Sequence, residues 1–455
     1  MATTSGRVWA WGEMPGDGSY SATLTPIEVP GLHNIVEVSG GRHIKLALGQ
    51  DGTVYQWGLF DMDGVSLALT PLVVPRLSGI VQVSACWNHA LTLRNDGKVL
   101  AWGTNQYGES GGIGLWVQYP TVVPGLSNIV AVAAGGEHSL ALRSDGVVFA
   151  WGRNLFGQIG NGHAAIAYPD YQGEFNNTPS QVVGLTAVVK IAGGSQHSLA
   201  IRQNGTAWGW GANWEGILGT GVDDYYRTTP VRAFAGVNNI VDIAGGSEHS
   251  VALTANGTVY TTGTGSLLGI NTTATHSLVP IALSLENCKQ VVAHSYSSWA
   301  LAERMELGGL VRLQDISGSP STVTLTAQVC SRGSSNVLAS ASLRPASNGG
   351  FAIEAPISPG TYDVTIAGGS WLKQRIGPVQ FTSSGNVNLT FDLMNGDANG
   401  DNTVNVSDFM LMRAAMGSTS SSSNWNPKAD LNRDNQVSLA DFMILRKNFG
   451  RSGHN

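Results

Sequence analysis

Internal repetition constrains this chain more than any other feature. One phrase, a small residue and glycine ahead of histidine and a short apolar run, recurs as GGRHIKLAL, ACWNHALTL, GGEHSLALR, GGSQHSLAI and GGSEHSVAL. Its histidines, His43, His89, His138, His197 and His249, follow one another at steps of about 50 residues. A degenerate sixth copy, HSYSSWALA, carries Ser297 in the histidine position. A second phrase follows each of the first five copies across an Asp-Gly or Asn-Gly pair, as in DGTVYQWG and DGVVFAWG, and GRVWAWG opens the chain. A period of this length means one supersecondary unit per repeat, stacked on its neighbours because no unit can bury its apolar face alone.

Within a repeat, Ile35–Val38, Leu46–Leu48 and Val54–Trp57 are short, β-branched or aromatic, and bounded by Gly, Asp or Pro, so each reads as a strand. The Asp/Asn-Gly pair supplies the positive-φ residues of a tight hairpin turn. With one more apolar stretch per repeat, four strands in about 50 residues make a blade of a β-propeller. Composition agrees: 59 glycines and only 12% charged residues suit many short strands better than long surface helices. The fold class expected is mainly β, a six-repeat propeller over residues 1–305.

WGRNLFGQIGNG at 151–162 and VVKIAGGSQHSLAI at 188–201 resemble the repeat of the regulator of chromosome condensation family of propellers, and the likeness runs over residues 6–302. Family propellers usually have seven blades, and this chain opens in mid-repeat. Either six blades close here, or part of a seventh belongs upstream together with a signal peptide.

Histidines repeated once per blade are distributed round a ring instead of converging on one centre, so hydrogen bonding to the neighbouring turn is expected of them, not catalysis or metal binding. Trp11, Trp57, Trp102, Trp151 and Trp210 recur at the same spacing and read as inter-blade core. Function is then carried by what differs between blades. The loops at 104–119, 163–177 and 213–228 bring Trp116, Tyr119, Tyr168, Tyr171, Trp214, Tyr225 and Tyr226 to one expected face of the ring, a ligand surface for a protein or a glycan.

A formal net charge of −6, all of it within residues 1–305, removes any general electrostatic reason to bind nucleic acid. Cys86, Cys288 and Cys330 lie far apart, with neither metal-ligand nor disulfide-scaffold spacing, and are expected to be buried apolar residues. No run approaches the roughly 18 apolar residues of a membrane-spanning helix, and MATTSGRVWAWGE lacks the apolar core of a signal peptide.

Residues 306–393 have a different texture. VRLQDI, STVTLTAQVC, GTYDVTIAGG and NVNLTFDL alternate apolar with polar residues between close turns, which predicts a small β-sandwich serving as a spacer. GGFAIEAPISPGTYDVTIAGGSWLKQ resembles the carboxypeptidase regulatory-like sandwich modules.

Residues 394–455 carry the clearest chemistry. DANGDNTVNVSD at 397–408 and DLNRDNQVSLAD at 430–441 place oxygen donors at positions 1, 3, 5, 7, 9 and 12 of a calcium loop. These are Asp397, Asn399, Asp401, Thr403 through its carbonyl, Asn405 and Asp408, then Asp430, Asn432, Asp434, Gln436 through its carbonyl, Ser438 and Asp441. Position 12 is Asp in place of Glu, and position 6 is Asn402 or Asn435 in place of Gly. A helix follows each loop, SDFMLMRAAMG and LADFMILRKNFG, and none precedes the first. Two such loop-helix units resemble a type I dockerin. The resemblance implies two calcium ions, a cohesin partner, and partner-facing roles for Arg413, Ala414, Arg446 and Lys447.

The expectation for the whole is a secreted, modular bacterial binding protein without enzyme activity. The propeller recognises a protein or glycan, and a calcium-dependent dockerin attaches it to a cohesin-bearing scaffold, a setting of polysaccharide metabolism outside the cell. The alternative is a carbohydrate-active enzyme with the propeller as catalytic head, using Asp170/Glu174 or Asp223/Asp224 as paired carboxylates.

Overall fold

The computed structural model describes residues 6–58, 67–164, 175–285, 288–302, 305–355, 360–381 and 387–454. Two compact units divide the chain, Met1–Leu301 and Ala302–Asn455.

In the first unit, Ile35–Gly40, Ile44–Gly49, Val54–Gly58 and Ala68–Val73 pair in sequence order as an antiparallel four-stranded sheet. The same order recurs over Ile80–Val122, Ile129–Gln181, Val188–Arg232 and Ile240–Ala282, giving five complete blades among the described residues. Hairpin chemistry sets the turns. In the third blade Gly146 takes φ 82°, and Asp145 accepts from the Arg143 guanidinium at 2.9 Å.

The sixth blade is divided between the ends of the repeat array. Trp9–Gly12 pairs with Thr23–Glu28, and Cys288–His294 with Ser297–Ala302. The rings of Trp11 and Trp299 meet edge to face at 5.0 Å, which brings the two halves together. Among the described residues they remain separate two-stranded sheets, and every residue of Ser297–Ala302 is exposed. Among the described residues a side-chain contact, with no strand ladder, links the two sheets.

The strand register revises the histidine alignment. His89 lies opposite Gly103 and His138 opposite Gly152, but the residue opposite Gly58 is Ile44. His43 stands one place before the strand and bonds Asn88 through Nδ1. Four histidines, not five, are equivalent. Nor is their partner the backbone of a turn: Nε2 of His89, His138, His197 and His249 meets the hydroxyls of Ser139, Ser198, Ser250 and Ser298, each on the next blade. Ser198 in turn donates to the Gln158 carbonyl at 2.9 Å, which also accepts from Trp210 Nε1 at 2.8 Å. The serine therefore accepts from histidine, which places a proton on Nε2 of His138. The glycine before this histidine follows from space, since a Cβ on Gly135 would lie 2.1 Å from His138 Cε1.

Trp102, Trp151 and Trp210 fill the inter-blade cores as expected, and Trp57 is buried too, whereas Trp11 is only half-buried. The three cysteines are free and buried. Cys86 lies 3.6 Å from His294, and burial pushes its thiol up to about 12.

The second unit opens with a sandwich. One sheet orders Gly350–Ala355, Met305–Leu313 and Val387–Leu393, and the other Val337–Leu343, Leu325–Ser331, Gly360–Gly368 and Trp371–Phe381. Val311, Val329, Ile366, Phe381 and Phe391 fill the space between. The calcium-loop segment packs directly on this sandwich within the same unit: Leu372 joins a core with Val404, Met412, Leu431 and Leu445. Two helices complete the unit, α1 (Val406–Ala415) and α2 (Leu439–Asn448).

Candidate functional site

The two predicted calcium loops fold as near copies. In the first, Asp397 accepts from Gly400 N at 2.7 Å and Asn402 N at 2.9 Å, and Asp408 from Asn399 N at 3.0 Å and Asn405 N at 2.8 Å. In the second, Asp430 accepts from Asp434 N and Asn435 N, and Asp441 from Asn432 N and Ser438 N. Thr403 N and Gln436 N both donate to the carboxylate two residues before them, Asp401 and Asp434. Position 12 thus does double duty. Asp408 closes a capping box with Asn405 at the start of α1, and Asp441 does so with Ser438 at the start of α2.

The donor set fits a hard divalent cation. Asp408 and Asp441 are fully buried, and Asp397 and Asp430 nearly so, with no lysine or arginine bonded to any of them among the described residues. Burial pushes the Asp397 carboxyl above its ordinary value, and the neighbouring charges of Asp408 and Asp401 add to this. Asp430 is raised in the same way, with Asp441 and Asp434 adding. Among the described residues no three His, Cys, Asp or Glu side chains converge as a metal-holding group by themselves. Each loop also offers amide, hydroxyl and carbonyl oxygens, the mixture that calcium accepts.

The helices leave a duplicated outer surface. Val406 and Met410 on α1, and Leu439 and Met443 on α2, are all more than half exposed. The four residues expected to face a partner, Arg413, Ala414, Arg446 and Lys447, are exposed as well. Lys447 is already engaged, since its ammonium pairs with Asp315 of the sandwich at 3.0 Å. Phe409 and Phe442, also equivalent, turn the other way and meet at 5.9 Å.

On the propeller, the loops after the third strand of the second, third and fourth blades share an asparagine staple that sequence reading did not single out. Asn105, Asn154 and Asn213 each accept from the backbone five residues on, at Ser110, Ile159 and Leu218. The Asn-x-x-Gly spacing common to TNQYG, RNLFG and ANWEG carried that signal. The staple gathers Trp214 and Tyr225, 5.4 Å apart, with Phe156 of the preceding blade at 4.9 Å from Trp214. Tyr225 is 60% exposed at the edge of this cluster, and Tyr226 lies beside it at 36%. Tyr119 has a different setting, stacked under the Arg76 guanidinium at 4.0 Å. Trp116 is half-buried at the start of its strand. Tyr168 and Tyr171, and with them Asp170 and Glu174, lie outside the described residues. Of the other carboxylate pair, Asp223 is exposed, but Asp224 is held by Asn213 and Arg227.

The fold and the two loops together define a β-propeller protein carrying a paired loop-helix module. Residues 65–309 match the RCC1-like domain, more than half of the 455 residues, and the chain belongs to that family. Residues 395–450 match the type I dockerin domain. Neither match extends over the bulk of the sandwich, whose architecture rests on its strand order. Among solved structures, Prp20p from Saccharomyces cerevisiae aligns with 66% of this chain and 78% of its own at 25% identity, with a TM-score of 0.58. A cohesin–X–dockerin complex from Acetivibrio cellulolyticus aligns with 33% of this chain and 97% of its own at 25% identity, with a TM-score of 0.28. The RCC2 homolog of Danio rerio is 43% identical over 67 residues, 15% of this chain and 14% of that protein. The chain spans 4%, 8% and 14% of the first three curated relatives that it matches.

Proposed function

We propose that this is an extracellular bacterial binding protein whose propeller, residues 1–305, recognises a protein or glycan, and whose segment 394–455 attaches it through calcium to a cohesin-like partner. The observation that carries the reading is the duplication at the C-terminus: two capped helices, each led by a loop with buried carboxylates, present equivalent apolar and basic residues outward. Asp397, Asn399, Asp401, Thr403, Asn405 and Asp408 would hold one ion, and Asp430, Asn432, Asp434, Gln436, Ser438 and Asp441 the other. Calcium supplies the positive charge that the buried carboxylates lack, and so fixes the loops that lead into α1 and α2.

Recognition by the propeller falls to the cluster of Trp214, Tyr225 and Phe156, with Tyr226 at its rim, because flat amphipathic rings bury area at low entropic cost. Of the two carboxylate pairs that glycoside hydrolysis would use, Asp223/Asp224 is disfavoured because Asp224 is tied to an amide and a guanidinium that hold the loop. Residues 306–393 carry the docking module on a rigid base, a tighter role than that of a loose spacer.

The test is capture of cohesin domains by the full chain with and without calcium, followed by a glycan array and protein pull-down. Calcium-dependent capture of a cohesin supports attachment. Capture that survives chelation, or absence of capture across cohesin types, refutes it.

A further inference from the structure

The two calcium loops are near copies, yet they are wired to the sandwich differently. At position 6 both hold asparagine in the left-handed region, Asn402 at φ 69° and Asn435 at φ 67°, where a standard loop takes glycine. Asn402 Oδ1 accepts from Lys373 N at 2.7 Å, on the sandwich strand Trp371–Phe381, and its Nδ2 donates to the His454 carbonyl at 3.1 Å. The C-terminal tail closes the circuit. Gly453 N donates to the Asn402 carbonyl at 2.9 Å and His454 N to the Lys373 carbonyl at 2.8 Å. Arg375 N donates to His454 Nδ1 at 2.8 Å. The Asn435 side chain makes no such bond among the described residues.

At position 4 the asymmetry reverses. The first loop has Gly400 at φ 82°, whereas the second has Arg433 at φ 58°, its guanidinium 5.2 Å from the centre of the Trp371 ring. The two carbonyls just before Arg433 are also held: Ser317 N donates to Asn432 O at 2.8 Å, and Asn395 Nδ2 to Leu431 O at 2.6 Å. In each loop, then, a side chain on a left-handed residue reaches the sandwich, at a position where glycine would relieve the backbone.

We propose that Asn402 and Arg433 are positioning residues through which the sandwich holds both calcium loops in their binding shape, so that calcium affinity and sandwich packing are coupled. The inference rests on the calcium reading above. A loop that must order its own ligands loses conformational freedom when the ion binds, and a base that orders it beforehand lowers that cost. Coupling of this kind is reciprocal, so calcium also tightens the sandwich strand that touches the loop.

Substitution of each asparagine by glycine separates this from loop geometry alone. Glycine keeps the left-handed backbone and removes only the side chain, so geometry predicts that Asn402→Gly and Asn435→Gly behave alike, neutral or slightly tighter. Coupling predicts that Asn402→Gly weakens one of the two sites about tenfold by calorimetric calcium titration of the full chain, and that Asn435→Gly leaves both sites unchanged. A second readout is amide exchange over 371–381: calcium slows it in the parent, and less so in Asn402→Gly. Asn402→Asp, which keeps the acceptor for Lys373 N, falls between, and serves as the test if the glycine variant folds poorly. Equal behaviour of the two glycine variants, or calcium-independent exchange of that strand in the parent, overturns the coupling and leaves the calcium reading intact. A parent that binds no calcium overturns both.

Discussion

His138 donates from Nε2 to Ser198 Oγ at 2.9 Å across a blade boundary, and this bond recurs at three other boundaries. At the boundary between the first two blades both partners are replaced together: Ile44 takes the histidine position and Ala90 the serine position, in one apolar cluster. The exchange is self-consistent, because neither change alone would leave the other buried group satisfied.

Ser198→Ala should therefore destabilise the propeller by about 1–3 kcal/mol, the cost of a buried donor left without an acceptor. The double variant His138→Ile with Ser198→Ala copies the Ile44/Ala90 arrangement and should cost much less than the sum of the singles. Urea unfolding of the three variants checks this, and additive losses would show that the bond is not what couples the pair.

The same histidines make the propeller acid-sensitive. Burial pushes His138 and His197 down to about 3, and His89 and His249 down to about 4, from an ordinary 6.5. In acid the unfolded chain takes up these protons before the folded one does. Stability is thus full above pH 6.5 and falls as pH drops from there towards 4 and 3, by about 1.4 kcal/mol per pH unit for each histidine still neutral in the fold. Thermal midpoints between pH 7 and pH 4 should fall with this sign, and less steeply when His138 and Ser198 are replaced by Ile and Ala.

Tyr225→Ala should weaken capture of the propeller ligand by about 2 kcal/mol and cost no more than about 1 kcal/mol of stability, since the residue is 60% exposed. Affinity and unfolding measured on one preparation distinguish recognition from packing. Stability lost with binding retained would assign the ring to support of its own loop.

Removal of calcium by a chelator should melt α1 and α2, seen as loss of far-ultraviolet helix signal, with two ions restoring it. Asp408→Ala should impair both calcium binding and the helix itself, because Asp408 also closes the α1 capping box; the cap is worth about 1 kcal/mol. A helix signal indifferent to chelation would contradict a metal-supported module.

The chain of residues along the sequence determined the period, the hairpin turns and the two loop patterns, because each depends on side chains a few positions apart. Asp-Gly sets its own turn, and the oxygens expected of a calcium loop all come from one short segment, so the loop pattern from Asp397 to Asp408 is legible in the sequence. Contacts between residues far apart in the chain were decided only by the tertiary structure. A one-residue difference in how a strand begins put Ile44 and not His43 opposite Gly58, a matter of strand register that a recurring phrase does not encode. Phe156 met Trp214 only once two blades packed. Lys447 reached Asp315, and Asn402 reached Lys373, only once the calcium loops settled on the sandwich. Local chemistry repeats wherever its residues repeat, whereas packing depends on which surfaces meet, and that is why two loops alike in sequence came to be held by different bonds.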